Sequence, residues 1–471
     1  VEKKFISLSL VLLVGGIHFW LVKDIPFFWD SIQLSSKQAH HFFKSGFTSW
    51  ALPDYLDSGH PPLLGWYLGA LWHFLGRSLW VSHVAFLPFI CLYLYYAIRW
   101  VCYLVSDNWG RALGLIILCV DPLFVSQSVI MGPDIILIAS FSALIFAYVH
   151  RQHIVMLVMA LFMGLISMRG AMVLASFGIF HILLTFWLNR QGWKDLFSRG
   201  WALIPGAAAF VLFLAWHYWS KGWVGFHSGS PWAESFQRVD FAGFLKNVAI
   251  FGFRLNEFGR FLIVFLLLSL LGLSKFRLTK AHKKGLLLLV ILLLVILPNT
   301  LLYQHLSANR YFWPIYLLIS LSCISWIGTV KLSVDLLKGG ALTTLFVFVA
   351  VHWLVYPWKM SQDWEATLVH LPYHQVRNDV TSYMSAMNIS RDEVGSAFPA
   401  LNSDYHIYLT EDQDQVFKDI SIGEDKYIFY SNIMNSIKSA DLELIETLYW
   451  KRHYLQRGLI KGYIFELKEE Q

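Results

Sequence analysis

The feature that most constrains this chain is a succession of apolar stretches between residues 5 and 357, each near the length of a bilayer crossing. Segments 261–273, 285–297 and 341–355 are almost continuous Leu, Val, Ile and Phe. With their flanks, each approaches the roughly 20 residues that cross a hydrocarbon core. A large soluble protein could hide one such helix; it could not hide ten. Composition agrees, with 56% apolar residues, 14% charged and a mean hydropathy of +0.52, whereas soluble domains carry roughly a quarter charged residues. Lys3-Lys4 leads into apolar 5–22 with no small-residue cleavage site, which reads as a retained first span rather than a removed leader.

The net charge of +6 divides unevenly. Residues 1–357 hold 26 Lys or Arg against 13 Asp or Glu, while 358–471 hold 11 against 18. The basic excess sits in short loops: Arg190, Lys194 and Arg199; then Lys275 to Lys284; then Lys331 and Lys338. Such clustering marks cytoplasmic loops under the positive-inside rule and gives no support to nucleic-acid binding. Eleven spans (5–22, 82–103, 112–129, 133–150, 153–168, 171–188, 201–219, 258–274, 285–302, 311–329 and 339–357) place every strongly basic loop inside with the N-terminus, and 358–471 outside. A twelfth apolar stretch, 63–79, follows two prolines and mixes Trp66, Tyr67, Trp72 and His73 into its run. It reads as a helix lying along or dipping into the outer leaflet. The alternative has 63–79 crossing and the short pair 153–168 and 171–188 forming one broken element. Cys91, Cys102, Cys119 and Cys323 all fall in apolar segments, as expected of free, buried thiols.

The expected fold class is therefore a polytopic α-helical membrane protein of about eleven transmembrane helices plus interfacial helices, followed by a C-terminal soluble α/β domain. The first part spans 1–357, with large outer loops at 23–81 and 220–257. The second begins after Pro357-Trp358 and covers 358–471. In it, 377–387 and 441–449 read as helices, and 393–399, 406–410, 426–431 and 462–467 as strands. It carries no nucleotide loop, and reads as a cap or an acceptor-binding surface.

Polar residues from distant positions share the outer face. Asp30 and His60-Pro61-Pro62 come from the first loop, Asp134 and Arg169 from short turns, and Lys221, His227, Glu234, Arg238, Arg254 and Glu257 from the long loop. Gln304, His305, Asn309 and Arg310 come from the last. Ionisable groups held at a membrane boundary are costly and mark a functional site by default. The spans are almost free of charge away from their ends, whereas a transporter usually carries midplane charges or broken helices. The pattern favours a site at the outer interface.

The residues at these positions also carry a resemblance. Phe27-Phe28-Trp29-Asp30, then His60-Pro61-Pro62-Leu63 with Trp66-Tyr67 and Phe74-Leu75-Gly76, resemble the acidic and "HPPL…yw…lfG" elements of the polyprenyl-phosphate-dependent GT-C glycosyltransferases. That superfamily includes the protein mannosyltransferases and the aminoarabinose transferase of lipid A. Asp121-Pro122-Leu123-Phe124 with Gly132-Pro133-Asp134, Gly164-Leu165-Ile166-Ser167-Met168-Arg169-Gly170, and Asn309-Arg310-Tyr311-Phe312-Trp313-Pro314 are similar to later elements and run in family order. Two departures matter. Ser31 stands where family members commonly have Glu, and Arg169 where they have Lys; the second keeps the charge and adds a bidentate fork.

The resemblance implies an inverting glycosyltransferase of the EC 2.4 class. It would move a sugar from a polyprenyl-phosphate donor to a glycolipid, protein or polymer acceptor at the outer face of a multi-pass plasma membrane, by expectation a bacterial inner membrane. Asp30 is expected to be the base and Asp134 a second acid that places the acceptor or a metal. His60, Arg169, Arg310 and Tyr311 are expected to contact the lipid phosphate or sugar, with His227, Arg238, Arg254 and Glu257 as weaker candidates. A Mg, Mn or Zn ion is compatible with these residue types, but no spacing commits to one. A ligase, polymerase, oligosaccharyltransferase or transporter is the alternative.

Overall fold

The computed structural model describes residues 2–468 apart from 191, 226, 231–232, 276, 305, 358–360 and 412–415. His305, Trp358 and the Glu234 side chain lie outside the described residues.

Among the described residues, six helices are long and apolar enough to cross a membrane: Leu79–Leu104, Met168–Leu188, Trp193–Lys221, Lys280–Leu302, Asn309–Thr329 and Val334–Trp353. A seventh span results if Phe241–Asn256 and Phe261–Leu273, bent by 83° at their junction, count as one. Six or seven of the eleven expected spans are accounted for in this way; four other apolar stretches form shorter helices, Leu63–Leu75, Asn108–Cys119, Pro133–Val149 and His153–Ile166, while the first apolar stretch lies in a 21-residue helix, Glu2–Val22. At 1.5 Å per residue the four shorter helices reach about 25 Å or less, against a hydrocarbon core of about 30 Å. The physical cause is plain in 112–129. Asp121 accepts from the backbone N–H of Leu123 at 2.9 Å and caps a new short helix, Pro122–Gln127, so the stretch breaks in two. The segment 220–257 is likewise more than a loop, since 241–256 is helical and capped by Asp240. Of the four thiols expected to be free and buried, Cys323 is buried, Cys91 and Cys119 are half-buried and Cys102 is exposed; all four are free.

Residues 394–467 build a five-stranded sheet. Its strands are β1 (Val394–Ser396), β2 (Lys418–Asp419), β3 (Tyr427–Ser431), β4 (Tyr449–Arg457) and β5 (Ile460–Leu467), in the order β2-β1-β3-β5-β4. β1 pairs in parallel with β2 and β3, whereas β5 runs antiparallel to both β3 and β4. Val376, Val380 and Met384 of helix Tyr373–Ala386 are buried in one cluster with Val394, Ile428, Ile460 and Ile464. The strand expected at 406–410 is instead a short helix, Asp404–Ile407, with Asp404 and His406 turned to polar partners. The β4 strand, rich in charge, had no apolar alternation to reveal it.

The two hydrophobic clusters interlock. Ala366, Ile407 and Leu409 are buried with the helical bundle, while Phe28 and Ile130 are buried with the sheet. That seam is where the polar residues gather.

Candidate active site

The segment carrying Asp30 is a strained turn clamped from outside. Trp29 sits in the left-handed region (φ 55°), which costs a non-glycine residue of order 1–3 kcal/mol and persists only where packing dictates it. The packing is present. Phe28 stacks on His370 with centroids 4.3 Å apart, and Trp29 meets Phe398 edge-on at 4.7 Å. Ser31, at the position where the resembling family has a second acid, closes the turn: its hydroxyl donates to the Phe28 carbonyl at 2.7 Å and accepts from the Phe28 N–H at 3.1 Å. A π-helical stretch follows (Ile32–Lys37), pinned by the Ser35 hydroxyl to the Met131 carbonyl at 2.6 Å and by the Ser36 hydroxyl to the His406 carbonyl at 2.7 Å.

Asp30, His60, Asp134, Arg169, Arg310 and Tyr311 all line one cavity of about 220 Å³. Each stands at an element boundary. Asp134 follows Pro133 in the first turn of its helix, Arg169 lies just after the Ser167 cap, and Arg310 sits in a 3₁₀ turn leading into Trp313–Thr329. Gly164 lies in the helix that precedes the Ser167–Arg169 turn. A Cβ there would strike the Gly206 backbone, so its absence lets helices His153–Ile166 and Ile204–Lys221 approach closely.

Arg310 is the hub. It pairs with Asp30 and Glu365 and lies 3.5 Å from Asp134, while Asp134 is also paired with Arg169. Tyr311 separates the two cations: the Arg169 guanidinium lies 3.9 Å and that of Arg310 5.0 Å from its ring centroid, in cation–π range. His60 Nδ1 accepts the Met168 backbone N–H at 3.2 Å, which places its proton on Nε2. Burial, with the Arg169 charge as the smaller cause, lowers the His60 pKa to about 4, so the ring is neutral at pH 7.

Glu365 is the member that sequence reasoning missed. It follows the last apolar helix, in a segment (363–370) that tucks beneath the site. The Gln127 amide donates to its carbonyl at 3.0 Å and the Ser126 hydroxyl to the Thr367 carbonyl at 3.0 Å. One signal was available, an acidic residue between Trp364 and Ala366, but 18 acids crowd this tail.

The weaker candidates are not in the cavity lining. Arg254 and Glu257 form a buried pair at 2.6 Å. Glu257 accepts from Asn309 Nδ2 at 2.7 Å, and Arg260 donates to Asn309 Oδ1 at 3.2 Å and to Asp121 at 3.1 Å. Asp363 accepts the Asn309 backbone N–H. This network fixes the residue preceding Arg310 and therefore supports the hub from behind. His227 instead contacts the Asp54 carbonyl at 3.1 Å on the exterior, and Arg238 bridges to Tyr303.

Asp30 also lines a second, larger chamber of about 990 Å³ between the first loop and residues 398–406. Lys37, His40, His41, Lys44 and His406 face it. Burial lowers the pKa of His40 to about 3 and that of His406 to about 4, assisted in each case by nearby cations.

Among the described residues, no three of His, Cys, Asp and Glu converge as a metal-ligand set. The carboxylates of Asp30, Asp134 and Glu365 are engaged by guanidinium groups, and His60 Nδ1 by a backbone N–H.

No family model and no curated protein matches the sequence. Two solved structures match over almost the whole chain. Both are ArnT from Cupriavidus metallidurans, one bound to undecaprenyl phosphate and one in the apo state. The TM-scores are 0.53 and 0.54, each alignment covers 97% of both chains, and identity is 12%. The likeness is one of fold. It includes the ordering of the helical part and the sheet-containing part, since almost nothing of either chain is left over.

Proposed function

We propose that the protein is a glycosyltransferase of GT-C type that moves a sugar from a polyprenyl-phosphate donor to an acceptor at the outer membrane surface, with inversion. The observation that carries this reading is the meeting, in one interfacial cavity, of two guanidinium groups with a carboxylate, Asp30, that also faces a separate chamber. The full-length fold likeness to a protein solved with undecaprenyl phosphate supports the donor class.

In this reading the lipid phosphate lies against Arg310 and Arg169, whose planar forks suit phosphate oxygens. Charge builds on that phosphate as the anomeric bond breaks, and fixed cations stabilise it without a proton. Asp30 takes the proton from the incoming hydroxyl or amine. Neutral His60 offers an Nε2–H donor to a sugar hydroxyl or phosphate oxygen. Asp134 and Glu365 hold the two arginines in place. The acceptor enters from the larger chamber. The eleven-span topology, the boundary at residues 357/358 and an extracytoplasmic C-terminal domain belong to the same proposal, with the shorter helices completing their crossings through flanking residues.

The test is transfer of label from polyprenyl-phosphate sugars to a membrane-extract acceptor pool, by detergent-purified wild type and Asp30→Asn. Product from wild type alone supports the reading. Equal product from both removes Asp30 as the base, and no turnover of any donor by either removes the transferase reading.

A further inference from the structure

We infer that Asp30 and the donor phosphate compete for Arg310, so that the base is held idle until donor binding releases it. This inference rests on the transferase reading above and concerns how that site is regulated.

The first observation is the sum of charges. Two cations, Arg169 and Arg310, face three carboxylates, Asp30, Asp134 and Glu365. The cluster is net negative without a ligand. An anionic phosphate entering it is repelled unless a carboxylate withdraws, and the burial of Arg310, Asp134 and Glu365 leaves that repulsion weakly screened.

The second observation identifies the carboxylate that withdraws. The side chains of Asp134 and Glu365 are 6% and 4% exposed, while that of Asp30 is 20% exposed. Asp134 is further tied to Arg169. Asp30 is the only one of the three that also lines the larger chamber. Rotating away from Arg310 therefore takes it towards the polar wall carrying Lys37 and Lys44, where a carboxylate is electrostatically favoured.

The exchange has a chemical consequence. A carboxylate in a charge-assisted bond to a guanidinium is a poor proton acceptor, because its lone pairs are engaged. Displaced by phosphate, Asp30 becomes basic and faces the acceptor side at the moment when the donor is in place. Donor binding then precedes acceptor activation.

The experiment measures affinity for a polyprenyl monophosphate in nanodiscs, with the phosphate-free polyprenol as reference, for wild type, Asp30→Asn and Asp30→Ala. Competition predicts that both variants bind the monophosphate more tightly than wild type by roughly tenfold, the effect of about 1.4 kcal/mol, with polyprenol affinity unchanged. Either variant, if folded by its size-exclusion profile and polyprenol binding, suffices. Equal or weaker monophosphate binding by the variants overturns the inference while leaving the transferase reading intact. A wild type that binds monophosphate no better than polyprenol overturns both.

Discussion

Arg310→Ala is the perturbation with the largest expected effect on stability. The substitution strands Glu365 at 4% exposure and Asp134 at 6%, and removes the partner of Asp30. Losing one member of a buried ion pair typically costs about 3–5 kcal/mol, mostly because the remaining charge stays desolvated. Arg169 still compensates Asp134, and Asp30 can turn to the larger chamber, so Glu365 carries most of the deficit. At about 2.1 cal/mol/K of unfolding entropy per residue, and with 471 residues unfolding cooperatively across the seam, the midpoint falls by roughly 3–5 °C. Tryptophan fluorescence of the detergent-solubilised protein during heating at pH 7.5 reads this. Glu365→Gln in the Arg310→Ala background removes the stranded charge and restores part of the loss. A midpoint for Arg310→Ala within 1 °C of wild type, or no recovery in the double variant, refutes the hub.

Four further outcomes are expected. Asp30→Asn lowers transfer by about 10²–10⁴-fold, the usual contribution of a general base, while the enzyme still binds donor lipid; retention of even a tenth of wild-type turnover is incompatible with the proposed role. Asn309→Ala loses the contacts to Glu257 and Arg260, so it raises the donor KM more than it lowers kcat; a change confined to kcat contradicts its supporting position. His60, His370 and His374 have pKa values lowered to about 4, 4 and 3 by burial, so below pH 6.5 the unfolded chain binds protons that the native one refuses. Stability therefore falls as pH drops from about 6.5 towards 4, by up to about 2 kcal/mol per group at pH 5. His374→Phe should flatten the loss of thermal midpoint between pH 7 and 5; an unchanged slope removes His374 from the account. Transfer assayed with and without EDTA should be equal if Arg310 and Arg169 supply the phosphate's counter-charge, and a loss restored by Mg, Mn or Zn would assign an ion to the site.

The convergence of Asp30, His60, Asp134, Arg169, Arg310 and Tyr311 was legible in the sequence because each polar group interrupts an apolar stretch. Topology alone brings such interruptions to one membrane depth. Glu365 was not legible, since its burial depends on the 363–370 segment folding back under a turn far away in sequence, and nothing local records that contact. Fewer long helices than expected spans are seen for a related reason: hydropathy measures how apolar a stretch is, not where Asp121-Pro122 or the bend after Asn256 ends a helix. The mixed helix–strand character of the last hundred residues was readable from alternation in β3 and β5. The charged β4 edge and the helix at Asp404–Ile407 depend on tertiary partners that alternation does not encode.

The location of Asp363 and Glu365 also constrains where the chain can be cut. Both follow the final apolar helix, yet one holds the Asn309 backbone and the other neutralises Arg310. Without residues 363–370 the polar cluster around Arg310 is incomplete even when every apolar helix is in place. The two halves of the polar cluster meet only where residues 363–370 pack against Asn309 and Arg310. A chain cut before residue 363 keeps its apolar helices but lacks the carboxylates that hold Asn309 and Arg310.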